Sequence, residues 1–151
     1  MKKGSSNIEF IATMILLILF SWAAFTFVIA ASDAYDKELT KKESIEETRI
    51  ALSFIDNRVK QANKGDVSVE EIDGNDVIII RDESGFNNNL YFLDGSLYEA
   101  MTSEGEALDP SIGLKIATIK SLEVASNDDL ISLEIVGQHG ERQKLLINKG
   151  L

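Results

Sequence analysis

The sequence predicts an α+β fold: a long N-terminal helix, membrane-spanning in its first half, whose second half packs on a small antiparallel β-sheet. Three features lead to it. The run FIATMILLILFSWAAFTFVIAA, from Phe10 to Ala31, carries no charge, no Gly and no Pro. Neither Gly nor Pro occurs from Ser5 to Lys64, so nothing in that stretch breaks a helix. After Gly65 the apolar pattern changes from helical spacing to alternation, punctuated by Asp-Gly turns.

Roughly 20 consecutive apolar residues cross a bilayer as a helix, and Phe10 to Ala31 meets that length. Lys2 and Lys3 precede the run, while Asp33, Asp36 and Glu38 follow it. Lysines beside a span favour the cytoplasmic side, so the N-terminus is expected inside and the chain from about residue 33 onward outside. Trp22 falls in mid-span, where it meets either neighbouring helices or lipid. A secretory signal peptide is the competing account. Its apolar region runs about 7 to 15 residues before a small-residue cleavage site. The run here is longer, although Val28-Ile29-Ala30 has suitable residue types.

Past the span, Tyr35, Leu39, Ile45, Leu52, Ile55, Val59 and Ala62 fall near one helical stripe, and Ile50, Ala51 and Phe54 widen its second half. The spacing predicts one helix from about residue 7 to Asn63, stopped by Gly65, on the order of 85 Å long. Its charged middle, Asp36 to Thr48, reads as a solvated stalk supported by i,i+4 pairs such as Glu38 and Lys42. Strands are expected over 67–72, 77–81, 90–93, 96–100, 114–124, 130–136 and 142–147. Asp94-Gly95 is the strongest hairpin signal, because a two-residue turn needs positive φ. Asp73-Gly74-Asn75-Asp76, Ser126-Asn127-Asp128-Asp129 and Gly137-Gln138-His139-Gly140 supply the other turns. Such an antiparallel meander needs one face covered, and the stripe from Ile45 to Ala62 is available to cover it. Met101 to Gly113, with the single proline Pro110, reads as a loop crossing between parts of the sheet.

With 151 residues, part of them in the span, the chain has room for one small domain. Its formal charge of -10 repels nucleic acid rather than gathering it. The absence of cysteine removes disulfides, thiolate metal sites and cysteine nucleophiles. His139, the one histidine, reads as a solvated turn residue. Glu104, Glu106 and Asp109, or Asp73, Asn75 and Asp76, could approach a cation, but neither set has the spacing of an EF-hand loop. No metal and no cofactor is therefore expected. No nucleophile motif or phosphate loop appears either, so the chain is not read as an enzyme.

A basic leader with Lys2 and Lys3 ends in Gly4; Ser5-Ser6-Asn7 follows, and Ile8-Glu9-Phe10 opens the uncharged helix. This arrangement resembles the class III signal of type IV prepilins. The resemblance implies cleavage by a prepilin peptidase between Gly4 and Ser5. Glu9 would then be the fifth mature residue, where the family carries its glutamate, and Glu9 and Phe10 would lie in the assembly segment. It also implies a pilin-like fold, with a long helix packed by its second half on a small antiparallel sheet. Only the first ten residues carry the specific motif. Ser5 stands where family members begin with Phe or Met, which bears on N-terminal methylation. The span lacks the helix-breaking Pro or Gly of many members, and no C-terminal disulfide can form.

The boundaries implied are a leader at 1–4, a transmembrane or filament-core helix at 5–32, the extracytoplasmic half of the helix at 33–64 and a β domain at 65–151. The function implied is that of a structural subunit, a minor pilin or pseudopilin of a type IV pilus-like filament or of a secretion or competence pseudopilus. Its partners would be other pilin-like subunits, the peptidase, an assembly platform and membrane lipid. Removing Lys2 and Lys3 would bring the side-chain charge to -12, which disfavours close self-packing and points to a minor subunit. The alternative is a single-pass anchored binding or sensor module on the outer side of the membrane. Ser6-Asn7-Ile8-Glu9 also fits an S-x-x-E capping box, which accounts for Glu9 without assembly.

Overall fold

In a computed structural model of the chain, residues 3–63, 66–127 and 129–149 are described, with side chains from residue 7 onward. The architecture is α+β: helix α1 (Lys3–Gln61), then strands β1 (Val67–Ile72), β2 (Asn75–Arg81), β3 (Phe86–Leu93), β4 (Ser96–Ser103), β5 (Leu114–Thr118), β6 (Ser121–Ser126), β7 (Leu130–Val136) and β8 (Arg142–Asn148). The chain divides into two compact units, Met1–Thr40 and Lys41–Leu151. Within the second, the C-terminal part of α1 packs on antiparallel sheet, which is the pilin-like arrangement. Every pairing is antiparallel between sequence neighbours, as in a meander, but the meander is split into a five-stranded sheet, β1-β2-β3-β4-β5, and a three-stranded one, β6-β7-β8.

The split falls inside the single strand expected from Leu114 to Val124. Ile119 N–H donates to Gly95 O, in the first sheet, at 3.1 Å, and Lys120 N–H donates to Val136 O, in the second, at 2.8 Å. The side chains give the reason. Leu114 and Ile116 occupy even positions, Ala117 and Ile119 odd ones, Leu122 and Val124 even ones again. One flat strand cannot keep all of these on one face. The first change of phase is absorbed at Ile116, which is skipped where the register passes from Leu97↔Ala117 to Tyr98↔Lys115. The second change is the passage between sheets.

The two strongest turn signals behave as read. Leu93 pairs with Ser96 across Asp94-Gly95, and Ile72 with Asn75 across Asp73-Gly74. All four turn residues have positive φ, as type I′ turns require. β3 and β4 extend further than expected, because Asn87 to Asn89 pair in register with Ala100 to Thr102. Gly65 and Asp128, expected in the helix stop and in a turn, lie outside the described residues.

Ala51, Ile55 and Val59 of α1 share one core with Val67, Ile78, Ile80, Leu90, Leu97, Ala117 and Ile119 of the first sheet segment and with Ile131, Leu133, Ile135 and Ile147 of the second sheet. The buried stripe of α1 is therefore 44, 48, 51, 55, 59, and its first two members are Ser44 and Thr48. This corrects the expected stripe: Tyr35, Leu39 and Ile50 are exposed. Small polar residues take the inner positions because the turn after β7 comes close there. A Cβ on Gly137 would meet the Ser44 and Thr48 hydroxyls and the Glu141 carboxylate. The polar atoms pair among themselves. Thr48 Oγ1 donates to Ser44 O, and Ser44 Oγ donates to Glu141 Oε2, both at 2.8 Å. Burial works against ionisation of Glu141, but bonds from its own N–H, from the Ser44 hydroxyl and from His139 N–H outweigh it and hold the carboxyl below its ordinary range.

Further along α1, Arg58 Nη2 lies 2.9 Å from Glu99 Oε1 and donates to Oε2 at 3.1 Å, with the guanidinium 5.1 Å from the centre of the Phe54 ring. Glu47 Oε2 accepts the Thr118 N–H at 2.6 Å. On β7, a hydrogen bond from Lys144 lowers the pKa of Glu134 against the effect of burial, and Arg142 adds to it.

The face of the first sheet turned away from this core is buried too. Val77, Ile79, Tyr91 and Ala100 form a second cluster, joined by Ile72, Leu93, Tyr98 and Leu108. Its cover is the segment read as a crossing loop. β4 and β5 are adjacent, so the loop crosses nothing; it folds back over the sheet. Tyr91 hydroxyl donates to Pro110 O at 2.8 Å and stacks on Tyr98 at 5.8 Å between ring centres. Asp109 caps a short 3-10 turn at Pro110–Ile112 by accepting from Ser111 N–H at 2.9 Å and from its hydroxyl at 2.6 Å. Those bonds lower its pKa. A Cβ on Gly113 would overlap the Tyr91 hydroxyl, so only glycine fits where the loop returns to β5.

Candidate functional site: the N-terminal helix

The residues singled out in the sequence lie in the first turns of α1. The helix begins at Lys3, four residues earlier than expected, and continues unbroken through Ser6 and Glu9. Gly4 and Ser5 are thus helical; the side chains of Lys3, Ser5 and Ser6, and Lys2 as a whole, lie outside the description. The helical backbone thus starts before Ser6 rather than at it.

From Asn7 to Thr40 every residue is exposed. That includes Ile8, Phe10, Ile11, Met14, Leu16, Leu19, Trp22, Phe25 and Phe27, each at least half exposed apart from Met14. A soluble protein does not leave so much contiguous apolar surface in water. The segment is long and apolar enough to cross a membrane, by length and composition. Its two threonines need no outside partner, because Thr13 Oγ1 donates to Glu9 O and Thr26 Oγ1 to Trp22 O, each at 2.9 Å. Such i−4 bonds satisfy a hydroxyl within an apolar surround and bend a helix slightly. Glu9 is the one acidic residue between Asn7 and Ser32, with Phe10 beside it.

No catalytic constellation accompanies these residues. His139 is exposed in the turn before β8, where its N–H donates to Glu141 Oε2 at 3.3 Å. Among the described residues no three His, Asp or Glu side chains gather as a metal site. Of the acidic residues considered for a cation, Asp109 serves as the cap of the 3-10 turn, and Glu106 accepts Ser103 N–H at 3.1 Å. Sequence reading missed the roles of Ser44, Thr48 and Gly137. Their signal was available: Ser44 and Thr48 lie seven and three residues before Ala51, in phase with Ile55 and Val59.

No curated protein and no solved structure is significantly similar to the chain. One family model matches, over residues 46–138, and it is described as a domain of unknown function (DUF4860). The match begins beyond the apolar segment, in the part of α1 that enters the core, and runs to the turn holding His139. It covers more than half of the 151 residues, and the chain belongs to the DUF4860 family.

Proposed function

We propose that the chain is a structural subunit of a type IV pilus-like filament or pseudopilus, in a minor or priming position, assembled through α1 after cleavage between Gly4 and Ser5. The observation that carries this reading is one continuous helix with two kinds of surface: an uncharged, wholly exposed stretch led by Gly4 and Glu9, and a stripe buried in a β core. The first suits storage in a bilayer, with Lys2 and Lys3 on the cytoplasmic side, followed by exchange of lipid for neighbouring helices. Leaving the bilayer then needs an assembly platform and other pilin-like subunits, since one bare helix cannot stay in water.

Glu9 is the residue assigned to docking. In a bundle its carboxylate leaves water, and an unpaired buried charge costs several kcal/mol. Cleavage creates a cation, the Ser5 α-amine, and no Lys or Arg occurs between Lys3 and Lys37 to compete. Pairing between neighbouring subunits rewards one axial register, even where its net stabilisation is small after desolvation.

Intact-mass measurement of the membrane fraction tests processing. The expected product begins at Ser5, with or without one methyl group; a product beginning near Ala31 overturns the reading, and one retaining Met1 identifies a permanently anchored module instead. Glu9→Ala is expected to leave insertion and cleavage intact while impairing incorporation into sheared fibres. Ser6→Ala, which keeps the carboxylate, is the control.

A further inference from the structure

The two sheets have edge strands at β1, β5, β6 and β8. An unpaired edge is a template for further pairing, and folded proteins protect such edges. β1 and β6 come close to each other. β5 is short, carries the bulge at Ile116 and has its Thr118 N–H taken by Glu47 of α1. β8 has none of these protections. It pairs with β7 in unbroken register from Arg142 to Asn148, contains no proline, and no element other than β7 runs alongside it among the described residues.

Hydrogen bonds at the two ends of the β7–β8 hairpin fix which groups face the open edge. Gly137 N–H donates to Glu141 O, and Lys149 N–H donates to Asp129 O. Bonded and non-bonded pairs alternate along an antiparallel ladder, so the odd-numbered residues of β8 bond to β7. Arg142, Lys144 and Leu146 therefore point their N–H and C=O groups away from it. Those groups have no partner among the described residues. Beside the edge, Leu146 is 69% exposed and Leu130 44%. The basic side chains are turned aside, because Glu134 on β7 holds Arg142 at 3.3 Å and Lys144 at 2.8 Å.

We infer that β8 pairs antiparallel with β8 of a second copy of this chain, about a two-fold axis at Leu146. Charge favours a copy as the occupant. β8 holds no carboxylate, whereas β1 holds Glu70 and Glu71 and β6 holds Glu123. A chain of net charge -10 thus meets its like with least repulsion along β8. Side chains select the register. Centred on Lys144, two lysines would face each other; centred on Leu145, each lysine would face a leucine. Centred on Leu146, the exposed leucines face each other, Leu145 faces Ile147 and Lys144 faces Asn148, so apolar side chains meet on both faces of the joined sheet. Leu146 then exchanges two backbone bonds with its counterpart, and the same surface serves both copies. This contact does not rest on the assembly reading, since it needs neither cleavage after Gly4 nor Glu9.

Because the chain has no cysteine, single-cysteine variants of the full-length protein read the contact in its own membrane. Facing Cα atoms of a bonded pair lie about 5.5 Å apart, within reach of a disulfide. Oxidation of Leu146→Cys with copper phenanthroline is expected to link two copies of the chain. Glu123→Cys, on the exposed side of β6, is expected to link few. Amide exchange in detergent is the second readout: protection of Leu146 N–H should rise with protein concentration, and Leu146→Lys, which sets two ammonium groups face to face, should weaken pairing about tenfold or more while the amide spectrum of β7 is preserved. Equal linking by Glu123→Cys, linking of Leu146→Cys only to a different protein, or exchange of Leu146 that is independent of concentration up to about 1 mM overturns the pairing. Stronger linking by Lys144→Cys than by Leu146→Cys overturns the register.

Discussion

Residues 7–40 and residues 41–61 belong to the same helix but obey different rules. In the first stretch Leu, Ile and Phe point outward all round the helix, and none is buried. In the second, a single stripe is buried, it includes two hydroxyl residues, and the apolar Ile50 is left outside. A helix that is apolar on every side matches an apolar solvent and selects no particular protein face. A one-sided stripe matches a particular surface, and its residues are chosen by how close that surface comes. Hydrophobicity alone placed Tyr35 and Leu39 on a stripe that does not reach them, and it passed over Ser44 and Thr48, which had to fit beneath Gly137.

The largest effect expected from this contrast is at Ile55. It is fully buried in the shared core, and Ile55→Ala should cost about 2–5 kcal/mol in denaturant unfolding of the β domain. Leu19→Ala, a comparable truncation on the exposed stretch, should leave that transition in place. If Leu19→Ala lowers the midpoint as much, the two stretches are not organised by separate surroundings.

A smaller effect, about 1–3 kcal/mol, is expected for Gly137→Ala, which forces a methyl group into Ser44, Thr48 and Glu141. Gly137→Ala combined with Ser44→Ala should recover part of the loss, since the second change removes one of the groups in the way. Absence of any loss in the single variant would mean that the close approach is not what selects small residues on α1.

Acid should loosen the second region without affecting the first. The folded pKa values of Glu134 and Glu141 are depressed. Their contribution is therefore fully present above the ordinary unfolded value, roughly 4.3, and is lost as pH falls through that range toward the lowered folded values. Near-ultraviolet circular dichroism of the tyrosines in detergent should show the domain melting at lower temperature as pH drops below about 4, while helical signal from the span persists. Glu134→Gln/Glu141→Gln should flatten that pH dependence. An unchanged dependence would assign the acid response to other carboxylates.

Local chemistry made much of the fold legible. Asp94-Gly95 and Asp73-Gly74 announced their turns because positive φ is a property of the residues themselves. The uncharged run announced a helix suited to lipid, because its length and composition need no knowledge of neighbours.

What the tertiary structure decided were the relations between distant segments. The run from Leu114 to Val124 became two strands because its apolar phase changes twice: the first change is taken up by the bulge at Ile116 within β5, and the second by the passage to the other sheet. The segment after β4 became a cover rather than a crossing because Val77, Ile79 and Tyr91 left a second face of the sheet in need of burial. Ser44 and Thr48 went inside because Gly137, ninety residues on, brings a backbone turn against them. None of these follows from propensity, since each depends on which surfaces meet and how closely, a long-range condition that no window of neighbouring residues contains.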